Sequence, residues 1–154
     1  MRRSVWLLGI LGVFVLALAT TAQAANVFND VIPFSIDPLN PCTTETVSID
    51  GNLHVIVNAT LDHSGGIHLG ISVNTNDVHG TGDPSGIKYS GHANVNGRLN
   101  LTSGAQEATL IVNLGLQSQG SASNLKIKLT AHITVNANGN VTSVVFDFTG
   151  LECS

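Results

Sequence analysis

Apolar and polar side chains alternate along most of this chain from Thr46 onward. Leu53, Val55, Val57, Ala59 and Leu61 are interleaved with His54, Ile56, Asn58, Thr60 and Asp62. Leu125, Ile127, Leu129, Ala131, Ile133 and Val135 are interleaved with Lys126, Lys128, Thr130, His132 and Thr134. A period of two predicts strands with one dry face and one wet face, and no stretch carries a helical repeat. Residues 25–41, with three prolines and no sustained period, predict an irregular lead-in.

Turn residues set the register, because a hairpin must place apolar residues opposite apolar ones. A type I′ turn at Asn138-Gly139 pairs Ile133 with Val144, Ala131 with Phe146 and Leu129 with Phe148. A turn at Gly120-Ser121 pairs Leu116 with Leu125 and Leu114 with Ile127, and one at Gly104-Ala105 pairs Leu99 with Leu110. Three-residue loops at Asp50-Gly51-Asn52 and His63-Ser64-Gly65 preserve parity in the first hairpins. Turns at Thr75-Asn76 and at Asp83-Pro84-Ser85-Gly86 make a short strand of 78–82, with Val78, Gly80 and Gly82 facing Val73, Ile71 and Leu69 and with Gly80 opposite Tyr89. The expected strands are 45–49, 53–61, 67–74, 78–82, 87–101, 107–118, 123–136 and 141–151.

Two cysteines test this count. Cys42 precedes the first expected strand and Cys153 ends the last, and a bond between them requires Cα atoms within about 7 Å. In a closed meander those two places meet only if the number of strands is even. Eight strands and one disulfide therefore support each other and predict an all-β, eight-stranded antiparallel up-and-down barrel over 42–154, with a two-sheet sandwich as the alternative. The bond would close a loop of roughly 111 residues, worth about 4–5 kcal/mol in the chain-entropy account.

The first residues explain why a disulfide is expected at all. Arg2 and Arg3 precede an apolar run from Val5 to Ala19, and Ala22-Gln23-Ala24 supplies small residues at a cleavage site. That order reads as a signal peptide over 1–24, removed to leave a secreted or periplasmic protein in an oxidising compartment. Without Arg2 and Arg3 the chain keeps four basic residues against ten acidic ones, a net charge of −6, which excludes nucleic acid and anionic membrane as natural partners. A barrel spanning an outer membrane is set aside because the expected first and fourth strands are short and no aromatic girdle is present.

The polar face offers little chemistry. His54, His68, His79, His92 and His132 all fall on it, and His63 falls in a turn. The expected register lines up His54, Asn74, Asp77, His92 and Gln117, so Asp77 and His92 form the nearest approach to a metal pair, short of the three or four ligands zinc needs. His132 lies beside Thr109 with Glu107 and Asp147 on diagonals, an acid–histidine arrangement without a nucleophile. No catalytic residue, metal or cofactor is assigned.

The inward face is apolar apart from the Tyr89 hydroxyl, and Gly80, Gly82, Gly91 and Gly97 collect on one wall of it with Ala93. Those glycines either let tight strands bend or leave a cavity beside Tyr89 for an apolar guest.

The segments Asn40-Pro41-Cys42-Thr43, Gly80-Thr81-Gly82, Gly86-Ile87-Lys88-Tyr89, 134–142 (TVNANGNVT) and Glu152-Cys153 resemble a group of small exported bacterial all-β proteins without an assigned activity. The expected architecture is similar to that of lipocalins and avidins, but their tryptophan signatures are missing because Trp6 lies in the signal. The function expected is that of a non-catalytic exported barrel that binds a small apolar molecule or acts as an inert module. The alternative is a cell-surface or extracellular interaction module using the Asn/Thr/Ser-rich face, and a third reading is a histidine- or metal-dependent enzyme.

Overall fold

The computed structural model describes residues 25–102, 104 and 106–154. The expected signal peptide therefore lies outside the described residues, as does Ala105 of the expected Gly104-Ala105 turn. Eight antiparallel strands follow one another: β1 (Ala25–Ile36), β2 (Thr46–Leu61), β3 (Ile67–Asp83), β4 (Lys88–His92), β5 (Asn94–Leu101), β6 (Gln106–Ser118), β7 (Leu125–Val135) and β8 (Val141–Cys153). They form one curled, barrel-like sheet in the order β1-β2-β3-β4-β6-β7-β8, with β5 attached to β3. β1 and β8 approach one another without a hydrogen-bonded ladder.

Alternation places the core. Val47, Ile49, Leu53, Val55 and Val57 of β2, Leu114 and Leu116 of β6 and Leu125, Ile127 and Ile133 of β7 are fully buried. Each such side chain contributes about 1.5–3 kcal/mol by leaving water. A one-residue slip would turn all of them outward, so the register is strongly specified. The observed pairs Leu129–Phe148, Ala131–Phe146, Ile133–Val144, Leu114–Ile127 and Leu116–Leu125 are those the turns predict. Two loops reach that register differently. Asn136 N–H bonds Asn140 C=O across a three-residue loop, and a bulge near Thr142 restores the parity. The β6–β7 connection is longer than two residues, with Asn124 Oδ1 accepting the Ser118 N–H at 3.0 Å.

Residues 25–41 are not an irregular lead-in, since 25–36 form β1 and pair with β2. Phe28, Ile32, Phe34 and Ile36 carry the alternation there, and Pro33 is accommodated because β1 lies at the end of the sheet order.

The first four expected strands are two long ones. β2 and β3 run 16 and 17 residues without turning at Asp50-Gly51-Asn52 or at Thr75-Asn76. These two turn-like sequences lie opposite one another at a single β-bulge. Asn52 pairs with Asn76 and Asp50 with His79, so Gly51 faces both Asp77 and Val78. Asp77 supplies the left-handed residue, φ 55°. Val78, Gly80 and Gly82 consequently do not face Val73, Ile71 and Leu69; they pair with Gly91, Tyr89 and, on β2, Val47.

Beyond the bulge β3 changes partner. Its first half pairs with β5 and its second half with β4, and the expected strand 87–101 is broken at Ala93. Thr75 fixes the fork: its N–H donates to Ala93 C=O at 3.1 Å and its hydroxyl accepts the Ala93 N–H at 2.9 Å. β4 continues the sheet to β6 through Gly91–Leu116. β5 forms no ladder with β6, so the expected Leu99–Leu110 pair is not made, and Leu110 instead packs over Gly97.

Long β2 and β3 also remove strand shortness as an argument against a membrane barrel. The apolar faces of β2, β3, β6 and β7 point into the core, and Asn, Ser, Thr and His point out.

Candidate functional site

Cys42 and Cys153 are disulfide-bonded, with Cα atoms 5.9 Å apart. The hydrogen-bonded path between them crosses β2, β3, β4, β6, β7 and β8, an even number, so the two cysteines reach the same end. The bond fits an oxidising compartment.

A buried polar cluster supports that end. Asn40 and Glu45 are 1% and 8% exposed, and Tyr89 is 1% exposed. Asn40 organises the loop carrying Cys42: its side-chain oxygen accepts the Cys42 N–H at 2.9 Å, its backbone N–H donates to Glu45 C=O at 2.8 Å, and its amide nitrogen reaches the Tyr89 hydroxyl at 3.4 Å. Glu45 accepts from the Thr43 hydroxyl at 3.1 Å and from the Ser85 N–H at 3.3 Å. Bonding to the Ser85 side chain is the main cause that holds the Glu45 carboxyl below its ordinary value, while burial followed by the nearby Glu45 charge pushes the Tyr89 hydroxyl up. Segments 40–43, 80–82, 86–89 and 152–153 meet here, and 134–142 spans the β7–β8 loop. Asn40 and Glu45 escaped the sequence reading because polar residues beside a proline-rich stretch look like any exposed loop.

The glycine wall is filled. A Cβ on Gly91 would lie 2.5 Å from Val78 Cγ1, one on Gly97 3.1 Å from Leu110 Cδ1, and one on Gly82 2.8 Å from Ser85 Oγ and 2.9 Å from Glu45 Oε1. At Gly80 the nearest atoms, from Ile49, Tyr89 and Val47, stand at 3.4 Å. A Cβ on any of the four would meet a neighbour within 3.4 Å, so the inward side of this wall holds no cavity for a guest.

The expected metal row does not form. His54 pairs with Asn74, which pairs with Asn94, whereas His92 pairs with Gly115 and Gln117 with Ser90. Asp77 stands three residues beyond Asn74 on the same strand, because β3 does not turn back. Asp77 and His92 make no ion pair within 4 Å, and no group of three or more His, Cys, Asp or Glu side chains among the described residues is placed to hold a metal. His132 does sit beside Thr109, with Nδ1 2.9 Å from Glu107 Oε1 and Nε2 3.4 Å from Asp147 Oδ2. A second depression of about 520 Å³ overlies the bulge beside Asp50, Asp77 and His79.

A groove lies on the outer face of β2, β3 and β5. Its rows across the sheet are Ile56–Ser72–Asn96, Asn58–Gly70–Arg98 and Thr60–His68–Asn100. A depression of about 520 Å³ is lined by Asn58, Gly70, Ser72, Asn96 and Arg98. It shares Asn58, Gly70 and Arg98 with a neighbour of about 390 Å³, which shares His68 and Asn100 with a third of about 440 Å³. Gly70 is the floor, with nothing within 4 Å of the place a Cβ would occupy. At the far end His68 bonds Asn100 at 2.7 Å and Asp62 at 3.2 Å, and Asp62 also accepts the Ser64 and Gly66 N–H groups. Sequence reasoning assigned no role to this groove; its one signal is a glycine at a polar-face position of an otherwise regular strand.

No family model matches the chain, and neither a curated protein nor a solved structure does.

Proposed function

We propose that this is an exported, non-catalytic binding protein, secreted or periplasmic, that works through the polar groove on the outer face of β2, β3 and β5. The observation that carries the reading is the merging of three depressions over Gly70, on a face that supplies amides, hydroxyls, an imidazole and a guanidinium. Export is supported by the arginine-led apolar stretch within 1–24 and by the disulfide. Absence of catalysis is supported by His132, which is held between two carboxylates rather than against a nucleophile. Labelled mature protein should be retained on the envelope or extracellular polymers of the cells that export it. Gly70→Val, whose Cβ has no neighbour within 4 Å, should lose that retention; equal retention of both forms would remove the groove as the working surface.

A small apolar ligand is the second reading, and one observation favours it. Phe28, Phe34, Phe146 and Phe148, the four phenylalanines after residue 24, all stand on β1 and β8 along the unpaired seam, and Phe148 is 40% exposed. The filled glycine wall moves such a ligand away from Tyr89 and toward that seam. Thermal melting across a panel of lipids and hydrophobic metabolites tests it, since a bound ligand raises the midpoint in proportion to its concentration over Kd.

A further inference from the structure

We infer that the groove over Gly70 takes a carboxylate-bearing, hydroxyl-rich ligand, an acidic sugar chain, with Arg98 receiving the carboxylate; this rests on the groove being the working surface. Arg98 is the one arginine after residue 24 in a chain whose balance there is four basic residues against ten acidic. Of the three lysines there, Lys88 donates to Thr81 and Lys128 pairs with Glu152, while Lys126 stands across the β7–β8 ladder from the same Glu152. Arg98 has no ion-pair or hydrogen-bonded side-chain partner among the described residues, and no carboxylate lines either of the two depressions it borders. An uncompensated guanidinium in an otherwise acidic protein is a directed attraction for an anion. Its planar fork matches a carboxylate through two parallel hydrogen bonds, stronger than neutral ones.

The surroundings select the rest of the ligand. Asn58, Asn96, Ser72 and Thr60 offer both donors and acceptors, the chemistry that pairs with sugar hydroxyls. From Ser72 to Gly66 the groove follows β3 for about 20 Å at roughly 3.3 Å per residue, long enough for several linked rings. No Phe, Tyr or Trp lines it, so the His68 imidazole at the far end is the one ring among the lining residues and most of the affinity must come from charge and hydrogen bonds. The carboxylate at the far end, Asp62, accepts the Ser64 and Gly66 N–H groups on Oδ1 and faces His68 on Oδ2, so a protonated His68 partly offsets its charge.

The test titrates the mature, disulfide-bonded protein with a galacturonate trimer, a neutral glucose trimer and inorganic phosphate, followed by calorimetry and by amide resonances of Gly70, Ser72 and Asn96. The galacturonate trimer should move those resonances and bind at least about tenfold tighter than either control, a difference of about 1.4 kcal/mol. Arg98→Gln should remove about that factor, Arg98→Lys should restore only part of it, and Gly70→Val should abolish binding with the melting temperature unchanged. Equal binding of the two trimers, unaffected by Arg98→Gln, would overturn the acidic class, as would phosphate binding as tightly as the acidic trimer. Retention on cells that depends on Gly70 but is not competed by galacturonate would overturn this ligand class alone, whereas retention independent of Gly70 would overturn the groove itself.

Discussion

A Cβ placed on Gly51 would lie 2.6 Å from Val78 Cγ2 and 2.7 Å from Val78 Cα, so β2 and β3 meet at their bulge with no room for a side chain. Half of that obstacle is backbone, which cannot rotate away as a side chain does. Gly51→Ala should therefore destabilise the protein by about 1–3 kcal/mol, the cost of forcing an extra group into a packed position. Gly70→Val, on the same sheet but facing open space, is the matched control. Denaturant melts of the two variants check the contrast, and an unaltered midpoint for Gly51→Ala would mean the bulge is not closed.

That bulge also marks where reading the sequence stopped working. Asp50-Gly51-Asn52 and Thr75-Asn76 have turn composition because a bulge needs the same residues, a glycine for close approach and a residue tolerant of positive φ, here Asp77. Local composition does not distinguish one residue inserted in a ladder from a chain reversal; only the partner strand does. Where alternation was unbroken and the loop short, as from Leu125 to Phe148, the register was legible to the residue pair. β1 was hidden by Pro33, which an edge tolerates, and by the two prolines that follow the strand. The groove was less legible still, because Gly70 and Arg98 acquire meaning only when β2, β3 and β5 lie side by side, and that order depends on the fork at Ala93.

The disulfide ties the Cys42 loop to the end of β8, and the seam between β1 and β8 has no ladder to hold it. Cys153→Ser should cost about 2–5 kcal/mol, because the cross-link restrains an open chain of 111 residues. It should also promote association, since a freed β8 edge offers unpaired N–H and C=O groups to another copy. Denaturant melts with and without reductant read the first effect, and sedimentation at increasing concentration reads the second. A reduced protein as stable as the oxidised one would show that the seam holds without its cross-link.

His68 lies between Asn100 Oδ1 at 2.7 Å and Asp62 Oδ2 at 3.2 Å, two acceptors that favour the doubly protonated ring. The Asn100 bond is the largest cause raising its pKa above the ordinary 6.5, and bonding to the Gly66 and Ser64 N–H groups, with a smaller share from His68, holds Asp62 below 3.8. The His68 contribution to stability is complete below 6.5 and lost as pH rises through the raised folded value. The Asp62 contribution is present above 3.8 and lost as pH falls through its lowered one. The pair is therefore intact between those limits. An NMR titration should place the His68 midpoint above 6.5, and Asn100→Ala should bring it down; a midpoint at 6.5 in both proteins would remove the bond to Asn100.

Glu45 links acid sensitivity to the disulfide end. Its carboxylate accepts from the Thr43 hydroxyl and the Ser85 N–H, and the Ser85 side chain is the main reason its pKa lies below the ordinary 4.5. A lowered folded value means stability that is present above 4.5 and drains away as pH falls through the folded pKa. Glu45→Gln keeps the shape and removes the charge, so its denaturation midpoint should fall below that of the unaltered protein at neutral pH. The gap should close as pH falls through the lowered folded value, where the native carboxyl also becomes neutral. Tyr89 gives an independent reading: its hydroxyl pKa is raised by burial first and by the Glu45 charge second, so Glu45→Gln should lower it without returning it to 10. Ultraviolet titration of this lone tyrosine measures that shift directly, and no movement would place the Glu45 charge too far from Tyr89 to act on it.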